Sequence, residues 1–254
     1  MSRIPARCKS RLLTVLAIAA AALAGAPATL ACTSKGYTYA GLASPTTTHG
    51  VAARLTAIGA AAVANGHVAG WVGVGGPGEG PNGSDEWIQI GFSGFAGSPN
   101  SDLYYEVTRA GEAPQYHEIE HGLPPGASRR VAVLEVAGQP NSWRVWVDGK
   151  PVSEPIFLPL SHGAWRGIAT AESWTTDPTA ACNGFGYRFD DVRIARQPGG
   201  AWATLSDPLT IRTGVNKLVR PSATSFEAIS GQLIEPAAPS YVAGTMARTL
   251  LRAQ

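Results

Sequence analysis

The sequence predicts an all-β protein, an antiparallel β-sandwich of two sheets, and three observations support this fold class. Turn-forming residues are abundant, with 30 glycines and 19 prolines among 254 residues, whereas only 15% of the residues are charged. Segments with an apolar residue at every second position recur along the chain, as expected for half-buried strands. No helical pattern of useful length occurs between residues 67 and 195, although residues 52–64 fit either a strand or a helix.

Ten strands are predicted from this alternation. Glycine, proline or asparagine clusters separate most of them, because these residues favour turns. The strands are placed near residues 37–42, 51–57, 67–75, 86–93, 102–108, 129–137, 142–147, 151–158, 164–174 and 185–195. A further strand pair is expected near residues 201–213.

The strongest local signal is a β-hairpin around Asp148 and Gly149. These two residues separate two apolar runs, and an Asp-Gly pair supplies the two positive-φ positions of a tight hairpin turn. The glycine-rich segment 75–83 has no apolar residue that could enter a core, so it is predicted to be a surface loop.

The chain is predicted to have three parts: a signal peptide at residues 1–28, a β-sandwich domain at 29–196 and a partly ordered C-terminal extension at 197–254. Four basic residues precede an apolar run at residues 12–24 that ends in the small residues of Ala26–Ala28, which is typical of a secretory signal. The apolar run is too short to span a membrane. We therefore expect the mature protein outside the cytoplasm, secreted or held in the cell envelope.

Two cysteines remain in the mature chain, Cys32 and Cys182. In an oxidising compartment they can form a disulfide. The alternative is that Cys32 becomes the acylated first residue of a lipoprotein, which would exclude that bridge.

The charge of the mature chain excludes two classes of partner. Removal of four basic residues with the signal leaves 16 Lys and Arg against 18 Asp and Glu. No basic stripe is present that could bind nucleic acid or an anionic membrane. We expect a monomer that binds no nucleic acid and has no membrane span.

Alternation assigns the residues of three predicted strands to two different faces. Ile88, Ile90 and Phe92 share one face, and Trp87 and Gln89 share the other. The neighbouring strands divide in the same way, with Val72, Val74, Leu103 and Val107 on the core side and Trp71, Tyr104 and Glu106 on the outer side. Rings, glycines and isolated polar groups on one outer face indicate the floor of a groove. In the 164–174 strand, Glu172 lies on the same side as Trp174.

Five short motifs, taken together, resemble the glutamic peptidases, or eqolisins. In chain order they are Tyr39-Ala40-Gly41, the segment 68–75 around Trp71, Ile88-Gln89-Ile90-Gly91, Tyr104-Tyr105-Glu106, and Ala171-Glu172 followed by Trp174. The resemblance covers residues 37–195 and implies a sandwich of the concanavalin A-like, jelly-roll type. Two positions differ from the family pattern: Ser173 separates Glu172 from its tryptophan, and Gly75 stands where the family often has an aspartate.

The resemblance implies an endopeptidase that cleaves polypeptides in acid without a metal or cofactor. Gln89 and Glu172 match the family's catalytic pair on its concave sheet. A glutamate with the reference pKa of about 4.3 is an ionised base in mild acid and can activate water, and the amide can donate a hydrogen bond to the oxyanion. Trp71, Trp87, Tyr104, Glu106 and Trp174 are the predicted substrate-binding residues.

A zinc peptidase is a competing hypothesis, because residues 117–121 spell H-E-x-x-H. Both histidines bind one metal only on a helix, and Pro114, Pro124 and Pro125 leave little room for one. We interpret the match as coincidence. An incidental metal site on the surface, formed by His117 and His121, remains an alternative.

Two carbohydrate-directed alternatives also remain. A lectin-like or structural sandwich module would bind sugars through exposed tryptophans such as Trp143, Trp165 and Trp174. A glycosidase would need two facing carboxyl groups about 5–5.5 Å or 6.5–9.5 Å apart, and Glu106 and Glu172 are the available pair.

Overall fold

The computed structural model describes residues 35–177, 182–214 and 216–230. The predicted signal peptide, Cys32 and the chain after Ser230 lie outside these residues, so the predicted cleavage, disulfide and lipidation remain predictions. Within the described ranges, no helix has the length and hydrophobicity needed to cross a bilayer.

Sixteen β-strands make up nearly all of the regular structure in the described residues, with one 3₁₀ turn at Pro81–Gly83. The strands are β1 (Gly36–Thr47), β2 (Gly50–Ala57), β3 (His67–Gly76), β4 (Glu86–Phe95), β5 (Ser101–Thr108), β6 (Gln115–Leu123), β7 (Ser128–Glu135), β8 (Ser142–Val147), β9 (Lys150–Pro151), β10 (Ile156–Phe157), β11 (Arg166–Thr175), β12 (Gly186–Gln197), β13 (Gly200–Thr204), β14 (Leu209–Arg212), β15 (Lys217–Val219) and β16 (Phe226–Ile229).

The strands form two antiparallel sheets, so the predicted all-β sandwich is confirmed. Sheet A has the order β14-β1-β11-β3-β4-β5-β6. Sheet B has the order β10-β8-β7-β2-β12-β16-β15, with β9 added beside β8 and β13 beside β12. Strands β3 to β6 are consecutive neighbours in sheet A, whereas β11 is inserted between β1 and β3. This crossover brings residues far apart in sequence to the centre of sheet A.

The core lies between the sheets, and the predicted division of faces is confirmed for β3 and β4. Val72, Val74, Ile88, Ile90 and Phe92 are all buried in the main core cluster. Trp71 belongs to a separate small cluster with Ala69 and Tyr104 on the opposite face of sheet A. That face is called the outer face below. Burying a Val, Ile or Phe side chain contributes about 1.5–3 kcal/mol, so the core face holds the sheet on which the outer face is built.

Two of the three tryptophans proposed for sugar binding are not exposed. Trp143 and Trp165 are fully buried and stack with ring centroids 6.1 Å apart. The indole nitrogen of Trp143 donates to Ser161 Oγ, and that of Trp165 donates to the carbonyl of Glu79. The prediction of exposed rings was wrong at these positions because Trp143 shares the core face of β8 with Val145.

The hairpin at Asp148 and Gly149 is confirmed, since both residues have positive φ and join β8 to β9. The predicted strand at 151–158 is instead two short strands, β9 and β10, which both pair with β8. Two strands are present near 201–213 as predicted, but their pairing with each other is wrong, because β13 pairs with β12 in sheet B and β14 pairs with β1 in sheet A. The segment after residue 197 thus supplies strands to both sheets.

Candidate active site

Four adjacent strands of sheet A place the candidate residues on its outer face. On β11, alternation directs Ile168, Thr170 and Glu172 outward, and Thr170 pairs with Trp71 of β3. On β4, Gln89 pairs with Gly73 of β3 on one side and with Glu106 of β5 on the other. A β-carbon added at Gly73 would lie 2.8 Å from the Gln89 β-carbon, so the glycine permits the close approach of Gln89 to β3.

A groove of about 310 Å³ lies on this face. Five predicted site residues line it, and Tyr104 and Trp174 are not among the lining residues. The lining residues are Tyr37, Tyr39, Trp71, Val74, Gly75, Gly76, Pro77, Trp87, Gln89, Glu106, Ile168, Thr170, Glu172 and Ile211.

Gln89 is held in place by a buried tyrosine. Its side-chain Nε2 donates to Tyr104 Oη at 3.1 Å, and the glutamine is only 7% exposed. Burial raises the pKa of Tyr104 well above its ordinary value, and the charge of Glu172 raises it further. The phenol therefore stays neutral in acid and at neutral pH, and the amide keeps one N–H and its carbonyl oxygen for another partner.

Glu172 is 6% exposed and sits beside an imidazole. Its Oε1 lies 3.5 Å from Nε2 of His67, and the His67 ring stacks on Trp174 with ring centroids 5.5 Å apart. Trp174 therefore packs behind His67. A protonated His67 would place a positive charge next to the Glu172 carboxylate.

Gln89 and Glu172 lie diagonally across β3 from each other. Glu172 pairs with Ala69 and Gln89 lies opposite Gly73, four residues further along the same strand. At roughly 3.3 Å per residue this is an offset of about 13 Å along the backbone. Trp71 lies midway between Ala69 and Gly73. The two side chains must therefore reach toward each other over the Trp71 indole to act on one molecule.

A second carboxyl group lies in the groove and is partly buried. Glu106 accepts a hydrogen bond from Trp87 Nε1 at 2.9 Å. Burial raises the pKa of Glu106, the charge of Glu172 raises it further, and the Trp87 hydrogen bond and His67 act in the opposite direction. Glu106 therefore holds its proton to a higher pH than an ordinary glutamate, which limits the negative charge that Glu172 faces in acid.

Trp71 offers a hydrogen-bond donor to whatever fills the groove. The side chain is 9% exposed, and its indole nitrogen is buried with no hydrogen-bond partner among the described residues. An unpaired buried donor costs about 1–3 kcal/mol, so a ligand oxygen placed on this nitrogen would be favoured.

The rim of the groove at Gly75 explains one departure from the family pattern. Gly75 has a φ of +82°, and a β-carbon added there would lie 2.4 Å from the carbonyl oxygen of Glu86. Because only glycine avoids both the strain and the clash, an aspartate does not fit this backbone.

Sequence reasoning missed three contributors to the site. His67 was detectable, because it is on the same alternating face of β3 as Trp71. Tyr37 was also detectable by alternation, since it shares a face of β1 with Tyr39, which belonged to the first family motif. Ile211 was not, because it reaches the groove through a pairing between β14 and β1 that joins segments about 170 residues apart.

The H-E-x-x-H letters lie on β6, a strand at the edge of sheet A, so the helical geometry of a zinc peptidase is not formed. The His117 ring stacks on Tyr105 with ring centroids 4.4 Å apart. His121 Nδ1 lies 2.9 Å from Asp102 Oδ1 and is mostly exposed. The two histidines therefore have different partners.

The sequence matches no protein-family model and no curated protein. Solved structures match in fold. Scytalido-glutamic peptidase in complex with a peptide-based transition-state analog is 16% identical, with a TM-score of 0.54 over 76% of this chain and 97% of that one. SCP-B, a member of the eqolisin family in complex with the tripeptide Ala-Ile-His, is 17% identical, with a TM-score of 0.51 over the same shares. The chain therefore has a glutamic-peptidase-like fold.

Proposed function

We propose that the protein is an exported endopeptidase that hydrolyses polypeptides at acidic pH with Glu172 and Gln89 acting on one water molecule. The observation that carries the proposal is that both side chains line the same groove on the outer face of a glutamic-peptidase-like sheet. Export is part of the proposal and depends on the signal-like residues 1–28.

The proposed reaction has two proton transfers through one carboxyl group. Glu172 takes a proton from the water as its oxygen bonds to the peptide carbonyl carbon, and the negative charge moves to the carbonyl oxygen. The Gln89 amide donates a hydrogen bond to that oxyanion. Glu172 then gives its proton to the peptide nitrogen as the C–N bond breaks, which leaves a carboxylic acid and an amine.

The surroundings of the pair support this division of roles. Tyr104 fixes one N–H of Gln89, so the amide is oriented before substrate arrives. Glu106 with its raised pKa is neutral over a wider acid range than an ordinary glutamate, so Glu172 can ionise there without a second negative charge nearby. The free indole N–H of Trp71 would hold a substrate carbonyl between the two catalytic groups.

A glycosidase is the second candidate, and a specific observation favours it. Glu106 and Glu172 line the same groove, and the charge of Glu172 raises the pKa of Glu106. Two carboxyl groups in one groove, one of them with a raised pKa, are the arrangement of a general acid and its partner. Under this alternative Glu106 is essential for catalysis, whereas under the peptidase proposal it only affects the charge near Glu172.

The test is an assay of the purified protein lacking residues 1–28 on a denatured protein and on polysaccharides, between about pH 2 and pH 7, with and without a chelator. The variants are Glu172→Gln and Gln89→Ala. Glu118→Gln and Gln115→Ala are matched controls on the exposed strand β6.

Acid proteolysis that survives the chelator, is lost in both site variants and is kept in both controls would support the proposal. Polysaccharide cleavage that is lost in Glu106→Gln would support the glycosidase instead. Retention on a polysaccharide column without any hydrolysis would support a lectin-like module.

A further inference from the structure

Two histidines and a glutamate meet at one end of the sandwich, away from the groove lining. His49 lies between β1 and β2, Glu135 ends β7, and His162 lies between β10 and β11. His49 Nδ1 is 2.6 Å from one Glu135 oxygen, and His162 Nδ1 is 2.8 Å from the other. The two imidazole centroids are 5.2 Å apart.

Glu135 is completely buried and, among the described residues, forms no ion pair with a lysine or arginine. Within the described ranges, its one further side-chain hydrogen bond comes from the backbone N–H of Asn141, at 2.8 Å. A buried carboxylate is unfavourable unless a cation compensates its charge. The two imidazole nitrogens are the groups placed to hold such a cation beside Glu135.

The backbone holds these three residues in position. Glu135 N–H donates to the carbonyl of His49, and His49 N–H donates to the carbonyl of Ala195. The N–H of His162 donates to the side chain of Asn141 at 2.8 Å. Backbone hydrogen bonds at the end of β7 thus fix Glu135 and His49. The His162 side chain is 46% exposed and is the part of the cluster that can move.

We propose that His49, Glu135 and His162 form a binding site for a divalent transition metal of the zinc class. Two histidines and one glutamate are a donor set that zinc binds, with an open fourth position for water. With Zn–N bonds of about 2.0–2.1 Å, a ring centre lies about 3.2 Å from the ion, and a tetrahedral angle puts two ring centres about 5.2 Å apart. The observed ring separation matches this value.

Metal binding requires a small rearrangement that the site permits. The nitrogen-to-oxygen distances are hydrogen-bond lengths and must open to about 3.3 Å around an ion with tetrahedral ligands. Each neutral imidazole would bind through unprotonated Nδ1 and carry its proton on Nε2. The exposed ring of His162 can make the movement.

The site would connect three loops and the groove rim. Thr48, beside His49, donates its N–H to the carbonyl of Trp165, and the Trp165 indole donates to the carbonyl of Glu79 in the rim loop. A bound ion would therefore stabilise the fold without touching Gln89 or Glu172. The inference is independent of the proposed peptidase activity.

The experiment is calorimetric titration of chelator-treated protein with ZnCl₂ at pH 7.5, together with thermal unfolding and visible absorption after addition of CoCl₂. One equivalent of zinc is expected to bind, with a higher midpoint of unfolding and the d–d bands of tetrahedral cobalt. His162→Ala and His49→Ala should each weaken zinc binding by at least about tenfold. His121→Ala, which changes an exposed histidine of the separate cluster with Asp102 and Glu118, is the control.

Circular dichroism of the metal-free variants establishes that they are folded. Zinc binding by folded wild-type protein that is lost in both cluster variants and kept in His121→Ala would support the site. No binding by the wild type, or binding that both cluster variants retain, would overturn the proposal. The three residues would then be a hydrogen-bonded cluster with a structural role alone.

Discussion

The two faces of sheet A are made by the same strands but by different kinds of residue. The members of the main core cluster on β3 and β4 are Val, Ile and Phe side chains, such as Val72 and Ile90. The outer face carries Trp71, Gln89 and, on the neighbouring strand, Glu172, all less than 10% exposed. Burying polar groups on a face that need not hold the sheets together is unfavourable for folding, which supports the proposal that this face is the active site.

The largest expected effect is a loss of activity caused by substitutions on the outer face. Glu172→Gln removes the proposed base and should lower kcat by about 10³-fold or more, while Gln89→Ala should lower it by roughly 10²–10³-fold through loss of the oxyanion donor. The free energy of unfolding should change little. Steady-state kinetics with chemical denaturation measure both, and a Glu172→Gln protein that keeps wild-type kcat would contradict the assignment.

The converse substitution is on the core face and should lower the stability of the protein without lowering its activity. Ile90→Ala should lower the free energy of unfolding by about 2–5 kcal/mol, because it removes a fully buried side chain between the sheets. Activity per folded molecule should be retained. Urea denaturation tests the stability, with Ile90→Val as a milder control expected to lose about 0.5–1.5 kcal/mol. Equal losses of unfolding free energy in both variants would show that the core around Ile90 is not closely packed.

A smaller effect tests the tyrosine that orients Gln89. Tyr104→Phe removes one hydrogen bond to the amide and should lower kcat by about tenfold, since a neutral hydrogen bond contributes about 0.5–1.5 kcal/mol. KM should change less, because the ring remains. Tyr105→Phe, on the opposite face of β5, is the matched control, and a similar loss there would argue against a role for the Gln89 contact.

The smallest effect is on stability and depends on pH. The folded state raises the pKa of Glu106, first by burial and then by the charge of Glu172, so the folded protein binds more protons than the unfolded chain between the two pKa values. The contribution of Glu106 to stability is therefore full below the unfolded pKa of about 4.3 and falls as pH rises through the folded value.

Glu106→Gln should consequently stabilise the protein at pH 7 and have no such effect near pH 3. Denaturation at the two pH values measures this difference. The same variant should keep most of the peptidase activity. A stabilisation that is equal at both pH values would mean that the Glu106 charge is not the cause.

The alternation of β3, β4 and β5 could be predicted from the sequence because the two-residue period is a property of every strand. Strand β6 was missed because it is an edge strand whose residues from Gln115 to Glu118 are all exposed, so no apolar period marks it. The position of Glu172 relative to Gln89 depends on the insertion of β11 beside β3. Such long-range pairings leave no local pattern, which is also why the His49, Glu135 and His162 cluster was not foreseen.

The central claim is tested most directly by a crystal structure, grown at acidic pH, of the protein with a peptide-based transition-state analog. The account predicts that Gln89 and Glu172 both lie within about 2.6–3.2 Å of the analog's tetrahedral centre oxygens, on either side of the Trp71 indole. An analog held in the groove with either side chain beyond hydrogen-bond distance of those oxygens would contradict it.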